Sequence, residues 1–224
     1  MTIDREQEAI NAYFKILQHK GAQESSLKKR IDFLNKLIFE LKDAPHNGSD
    51  YRLAVNRLMD RYPNDDWPFN LTIVRQYFPF WKKDMKSIAA LNSGAMFEIE
   101  TIDWRPANVA LNVLWDNVDS IKLELTENWS LKAYVQALKE EGAPPDLVET
   151  RSKLAKILLA RLKDAPQRDE KIYRMVVDAT LPLFSLMQNR RLFQVVVREF
   201  FHFWEGHPDA ASYVLKDSRT APLF

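Results

Sequence analysis

Histidine is the side chain best suited to proton transfer near neutral pH, and the chain has four. His202 and His207 stand five residues apart, whereas two metal ligands on one helical face need a spacing of four. Both read as surface or helix-end residues. Glu98, Glu100 and Asp103 form a carboxylate cluster. Paired carboxylates can hold a cation or split into acid and base roles, but here no histidine or glycine-rich motif accompanies them, so they read as solvated charges. The Asp65-Asp66 pair reads as helix capping. No GxSxG elbow, HExxH pair or phosphate-cradling loop occurs. The chain has no cysteine, which removes disulfides, thiolate metal sites and thiol nucleophiles together. The expectation is therefore no catalytic site, no metal and no cofactor.

The remaining chemistry is binding. Basic residues cluster at Lys28-Lys29-Arg30, at Lys82-Lys83 with Lys86, and at Arg190-Arg191, and Arg75 and Arg198 recur at matching places. Together these form the candidate binding surface. Residues 10–90 hold 14 Lys/Arg against 9 Asp/Glu, residues 91–130 hold 2 against 7, and residues 131–213 hold 13 against 11. An acidic connector beside a basic first half can dock on it, the preferred reading because it needs no partner, or can screen a basic surface from a nucleic acid, and the net charge of +1 gives no strong overall field. The stretch AYVQALKEEGAPPDLVETRSKL (133–154) resembles the helical core-binding domain of tyrosine recombinases. That resemblance implies contacts to the DNA backbone without cleavage, because the recombinase catalytic domain has no counterpart here. Three functions follow as expectations: a non-enzymatic interaction or scaffold protein with a protein partner, preferred; a DNA- or RNA-binding accessory protein using the basic first half; or an enzyme with its site between the repeats, which requires polar groups converging in the cleft there.

What must position these residues is a repeat. TIVRQYFPFW (72–81) and VVVREFFHFW (195–204) agree at five of ten positions. Upstream, residues 10–45 match residues 131–166 without a gap at 12 of 36 positions, where unrelated sequences would give about two. The matches include Tyr13 with Tyr134, Gly21 with Gly142, Arg30 with Arg151, and the segment LKDAP in both copies. Tyr51-Arg52 then meets Tyr173-Arg174. The order is preserved throughout, which marks a tandem duplication: repeat one over 6–90, an acidic connector over 91–126, repeat two over 127–213, and a tail over 214–224. Duplicated units commonly pack about a pseudo-twofold axis.

Each copy spells four helices. Ile10, Tyr13, Phe14 and Leu17 recur at helical spacing before Gly21, a natural stop; the partner helix is 129–141. The second helix spans 26–43 and ends before Pro45, matched by 146–164 before Pro166. The third spans 49–61, matched by 169–187, where Pro182 should kink or split it. The fourth starts behind Asp66 as N-cap with Pro68 in its first turn. Its stripe is Ile73, Val74, Tyr77, Phe78 and Trp81, or Val196, Val197, Phe200, Phe201 and Trp204, with Phe80 and Phe203 toward the flank, where they can widen the buried face or meet the other copy.

Between the copies, MFEIETIDW (96–104) alternates as one short strand would, and 106–126 fits a helix; the alternative is a pair of strands, 96–103 and 120–126. The fold class expected is all-α: a four-helix unit duplicated with pseudo-twofold symmetry, plus a connector holding one or two small strands. The charged opening residues lack a secretory core and no long apolar run occurs, so the expected compartment is the cytoplasm, with no membrane contact. The tail ends in apolar Leu223-Phe224.

Overall fold

The computed structural model describes residues 2–42, 45–92 and 104–216, with side chains from residue 5 and without that of residue 92. The candidate strand 96–103, its carboxylates and the Leu223-Phe224 tail lie outside the described residues.

The described chain is all-helical and folds as two compact units, Met1–Ile102 and Asp103–Phe224. The first contains α1 (Thr2–His19), α2 (Glu24–Leu41), α3 (Gly48–Met59), α4 (Trp67–Lys82) and α5 (Met85–Asn92). The second contains α6 (Leu111–Asp116), α7 (Leu125–Glu140), α8 (Pro145–Leu162), α9 (Glu170–Thr180) and α10 (Met187–Glu205).

Local chemistry sets the boundaries. α1 ends at Gly21, whose φ of 78° is open to glycine, and the N–H groups of Gly21 and Ala22 return to the carbonyls of Gln18 and Leu17 at 3.0 Å each. Gly142 closes α7 the same way, with bonds from Gly142 and Ala143 to Lys139 and Leu138. Asn47 caps α3 by accepting from the Ser49 and Asp50 N–H groups at 3.0 and 2.9 Å, and Asp169 caps α9 through the Ile172 N–H at 2.8 Å.

In the first unit α1 packs on α2 and α4, and α2 packs on α3 and α4. In the second, α7 packs on α8 and α10, and α8 packs on α9 and α10. The aromatic helix fills each core: Ile73, Val74, Tyr77, Phe80 and Trp81 are buried in α4, and Val196, Val197, Phe200, Phe203 and Trp204 in α10.

Some of these expectations hold and others are corrected. Phe80 and Phe203 are core residues, standing edge-on to Tyr13 and Tyr134 at 5.4 and 5.3 Å between ring centroids, while Phe78 and Phe201 are only half-buried. The inner stripe is turned toward the tyrosine of the first helix. Asp66 sits at the N-cap position of α4, but its backbone is already helical and its side chain caps nothing, because a 3₁₀ turn over Asn64–Asp66 precedes the helix. Pro182 splits the third helix of the second unit: α9 ends at Thr180 and a 3₁₀ turn covers Leu181–Leu183. Residues 106–126 are not one helix, nor is 120–126 a strand. The chain is irregular to 110, forms α6, turns through Val118–Ser120, and re-enters a helix at Leu125. A capping box explains that restart, since Glu124 and Glu127 bond each other's backbone N–H groups. α5 was not anticipated.

Candidate functional site

The residues with most chemical potential lie inside the units. In the first, α1 contributes Tyr13, α2 contributes Arg30 and α4 contributes Gln76. Arg30 donates from Nη1 to the Tyr13 hydroxyl oxygen (2.5 Å) and to Gln76 Oε1 (2.7 Å), and the Tyr13 hydroxyl donates to the same Oε1 (3.0 Å). In the second unit Tyr134, Arg151 and Glu199 occupy α7, α8 and α10 in the same arrangement. Both the Tyr134 hydroxyl (2.7 Å) and Arg151 Nη1 donate to Glu199 Oε2, and the Leu215 N–H donates to Oε1 (3.1 Å). Arg30 and Arg151 are 4% and 8% exposed.

The electrostatics of the two clusters differ by one atom type. Glu199 supplies a carboxylate to Arg151. Burial works against that guanidinium's charge, but the hydrogen bond and charge of Glu199 outweigh it and raise its pKa. Gln76 offers Arg30 only a neutral amide oxygen. Burial pushes the Tyr13 hydroxyl up to about 12 although Arg30 pulls it down, and burial followed by the Glu199 charge holds Tyr134 well above its usual range. A second pair of tyrosines pins helix three to helix four: Tyr51 donates to the Val74 carbonyl at 2.9 Å and Tyr173 to the Val197 carbonyl at 2.6 Å. Burial raises both hydroxyls far above the ordinary value. Hydroxyls held protonated and locked in bonds are framework groups, since neither an acid nor a base near neutral pH results.

The sequence-derived candidates divide. Arg30 leaves the surface cluster for the core, while Lys28 and Lys29 are exposed. Arg75 and Arg198 are half-buried. Arg190 is half-buried and donates from Nε to the Phe184 carbonyl at 2.6 Å; Arg191 is exposed. Lys82, Lys83 and Lys86 are exposed; Lys82 donates to the His46 carbonyl at 3.1 Å and Lys83 pairs with Glu8 at 3.6 Å. The structure does not bring the lysines of the first unit together. Lys28 and Lys29 open α2 beside the start of α4, where Phe69 faces Arg30, whereas Lys82 and Lys83 close α4. The length of α4, about 24 Å, separates the two groups.

His202 stacks on Tyr213, with centroids 3.7 Å apart and planes at 13°, and His207 stands edge-on to both. Burial, then the neighbouring His207, lowers the His202 pKa. His46 tilts over Trp81 at 4.7 Å with Glu6 at 3.9 Å from its Nε2. Among the described residues no group of three or more His, Cys, Asp and Glu side chains could hold a metal ion. No described helix is long and apolar enough to cross a membrane.

Sequence reasoning missed the two polar clusters although their residues were in view. Tyr13, Arg30 and Tyr51 align with identical residues, Tyr134, Arg151 and Tyr173, in the second unit, and a polar residue matched within an apolar helical stripe is the signal that finds them. No protein-family model, curated protein or solved structure matches the chain.

Proposed function

We propose that this chain is a non-catalytic helical interaction protein, built by tandem duplication of a four-helix unit and working through contact with another polypeptide. The observation that carries the reading is the fate of four large apolar side chains. Phe39, Met85, Leu125 and Trp129 are 74%, 72%, 77% and 71% exposed, and Leu125 and Trp129 stand one turn apart on α7. Tryptophan in particular concentrates at contact surfaces. The duplication is supported by the matched polar clusters and matched caps. The two copies are expected to relate by a pseudo-twofold axis, and the expected compartment is the cytoplasm.

Nucleic acid is the alternative partner. What favours a polypeptide is the division of the first unit's lysines between opposite ends, where a phosphate backbone needs a continuous track. The test is affinity capture from the native host with purified wild-type chain and with Leu125→Ser/Trp129→Ser. A protein retained by the wild type and lost by the double variant is the expected outcome. Salt-steep binding of labelled duplex or single-stranded DNA or RNA, equal in both forms, would overturn it.

A further inference from the structure

We propose that the groove between α7 and α8 in the second unit is a binding pocket for a small uncharged aromatic molecule carrying one hydrogen-bonding oxygen, the chemistry of a phenol. The proposal stands apart from the interaction reading and from the surface of Leu125 and Trp129.

The groove holds a cavity of about 520 Å³. Val135 and Lys139 of α7 form one wall, Val148, Glu149 and Ser152 of α8 the other, and Ala143 and Pro145 at the turn close one end. That end is stiff. The Gly142 and Ala143 N–H groups return to the Lys139 and Leu138 carbonyls at 3.0 Å each, and Pro144 and Pro145 fix the backbone where α8 begins. Proteins hold small molecules in preformed clefts of about 300–1,000 Å³ with mostly apolar walls and a few polar groups. A closed apolar cavity of only about 150 Å³ already admits benzene.

The repeat says what shape these walls receive. Phe14, Leu27 and Ile31 of the first unit align with Val135, Val148 and Ser152, and each is the larger residue. Phe14 is buried, edge-on to Tyr13 with 5.4 Å between ring centroids, whereas Val135 is half-buried. The neighbouring core aromatics are kept, since Tyr134, Phe203 and Trp204 align with Tyr13, Phe80 and Trp81. A benzene ring is thus supplied by the chain at this place in one unit and not in the other. The polar groups set the rest of the ligand. Ser152 brings a hydroxyl where the first unit has Ile31, and Lys139 an ammonium where it has Gln18. Among the described residues neither side chain has a hydrogen-bond or ion-pair partner, while Glu149 is engaged by Lys153 at 2.7 Å. Both suit an oxygen on the ring. Lys139 opposes a cation in the groove, and Glu149 with the exposed Glu140, Glu141 and Asp146 at the same end opposes an anion. An uncharged ring with one oxygen satisfies both limits.

The probe is p-cresol, titrated into the full chain with isotope-labelled valine methyl groups and followed by NMR. Saturable shifts of the Val135 and Val148 methyl resonances are expected. Val135→Phe, which restores the ring of the first unit, should weaken binding about tenfold or more, with Val148 as the reporter and circular dichroism verifying the fold. Ser152→Ala should weaken p-cresol about threefold or more and leave toluene unchanged, and this milder variant decides the matter if Val135→Phe disturbs the helices. Benzoate and benzylamine should both bind more weakly than p-cresol. Leu125→Ser/Trp129→Ser should leave p-cresol binding intact, which keeps this test separate from that of the α7 surface. Absence of saturable shifts overturns the proposal, as does equal binding to wild type and Val135→Phe, or tighter binding of either charged probe. Binding seen only in a chain shortened after Lys216 overturns it in favour of this chain's own tail as the occupant. A host protein captured by the wild type and lost by Val135→Phe, with p-cresol inert, overturns it in favour of a partner's side chain.

Discussion

At position 76 the first unit carries an amide where the second, at 199, carries a carboxylate, and this single exchange sets how each core tolerates a buried arginine. Removing one partner of a buried ion pair leaves an uncompensated charge and costs about 3–5 kcal/mol. Removing a neutral acceptor costs about 1–3 kcal/mol. Glu199→Ala should therefore destabilise the second unit more than Gln76→Ala destabilises the first, as read from denaturant midpoints of the two variants. Equal losses would show that Arg151 draws little from its carboxylate. The residue scale is also where reading the sequence fell shortest. Arg30 follows two lysines and belongs to their cluster by proximity along the chain. A helix turns about 100° per residue, so the third basic residue of such a run faces another way, and here that way is inward. Only the match to Arg151 held that information.

At the element scale, the main helices of each unit were legible because their apolar spacing and stop signals agree. Gly21, Gly142, Pro45, Pro166 and Pro68 each mark a boundary near the one observed. The connector was not legible. Its apolar residues fit a helical period from 110 to 125, but Val118 is spent on packing against α8 and Glu124 restarts the chain through a capping box, so tertiary contact and local capping override the period. The ends of α4 and α10 give a prediction of their own. Both close with a left-handed residue, Lys83 at φ 55° in one and Gly206 at φ 77° in the other. A side chain in that conformation costs about 1 kcal/mol relative to glycine. Lys83→Gly should raise the stability of the first unit by roughly that amount and Gly206→Ala should lower that of the second, both measurable by thermal denaturation. The exposed pair of Lys83 with Glu8 is too weakly held to reverse the sign.

Across the whole molecule the tyrosines act together. Tyr13, Tyr51, Tyr77, Tyr134 and Tyr173 all have hydroxyl pKa values raised, chiefly by burial. A pKa higher in the folded state than the unfolded value of about 10 means the folded chain keeps protons that the unfolded chain releases. Their contribution to stability is thus complete below that value and is lost as pH rises beyond it. Phenolate absorbance should lag behind that of free tyrosine and then rise together with loss of helical circular dichroism. A smooth titration of all seven tyrosines with the helices intact would contradict the burial described for five of them.

The reach of Leu215 back to Glu199, sixteen residues along the chain, bears on how the protein is made. During synthesis from the N-terminus, the helices that surround Arg30 have all left the ribosome once Leu91, buried in the first unit, is out. That half has the means to close while the other is still unwritten. Glu199 lacks this backbone donor until residue 215 clears the exit tunnel, so the second unit completes its polar cluster after the first.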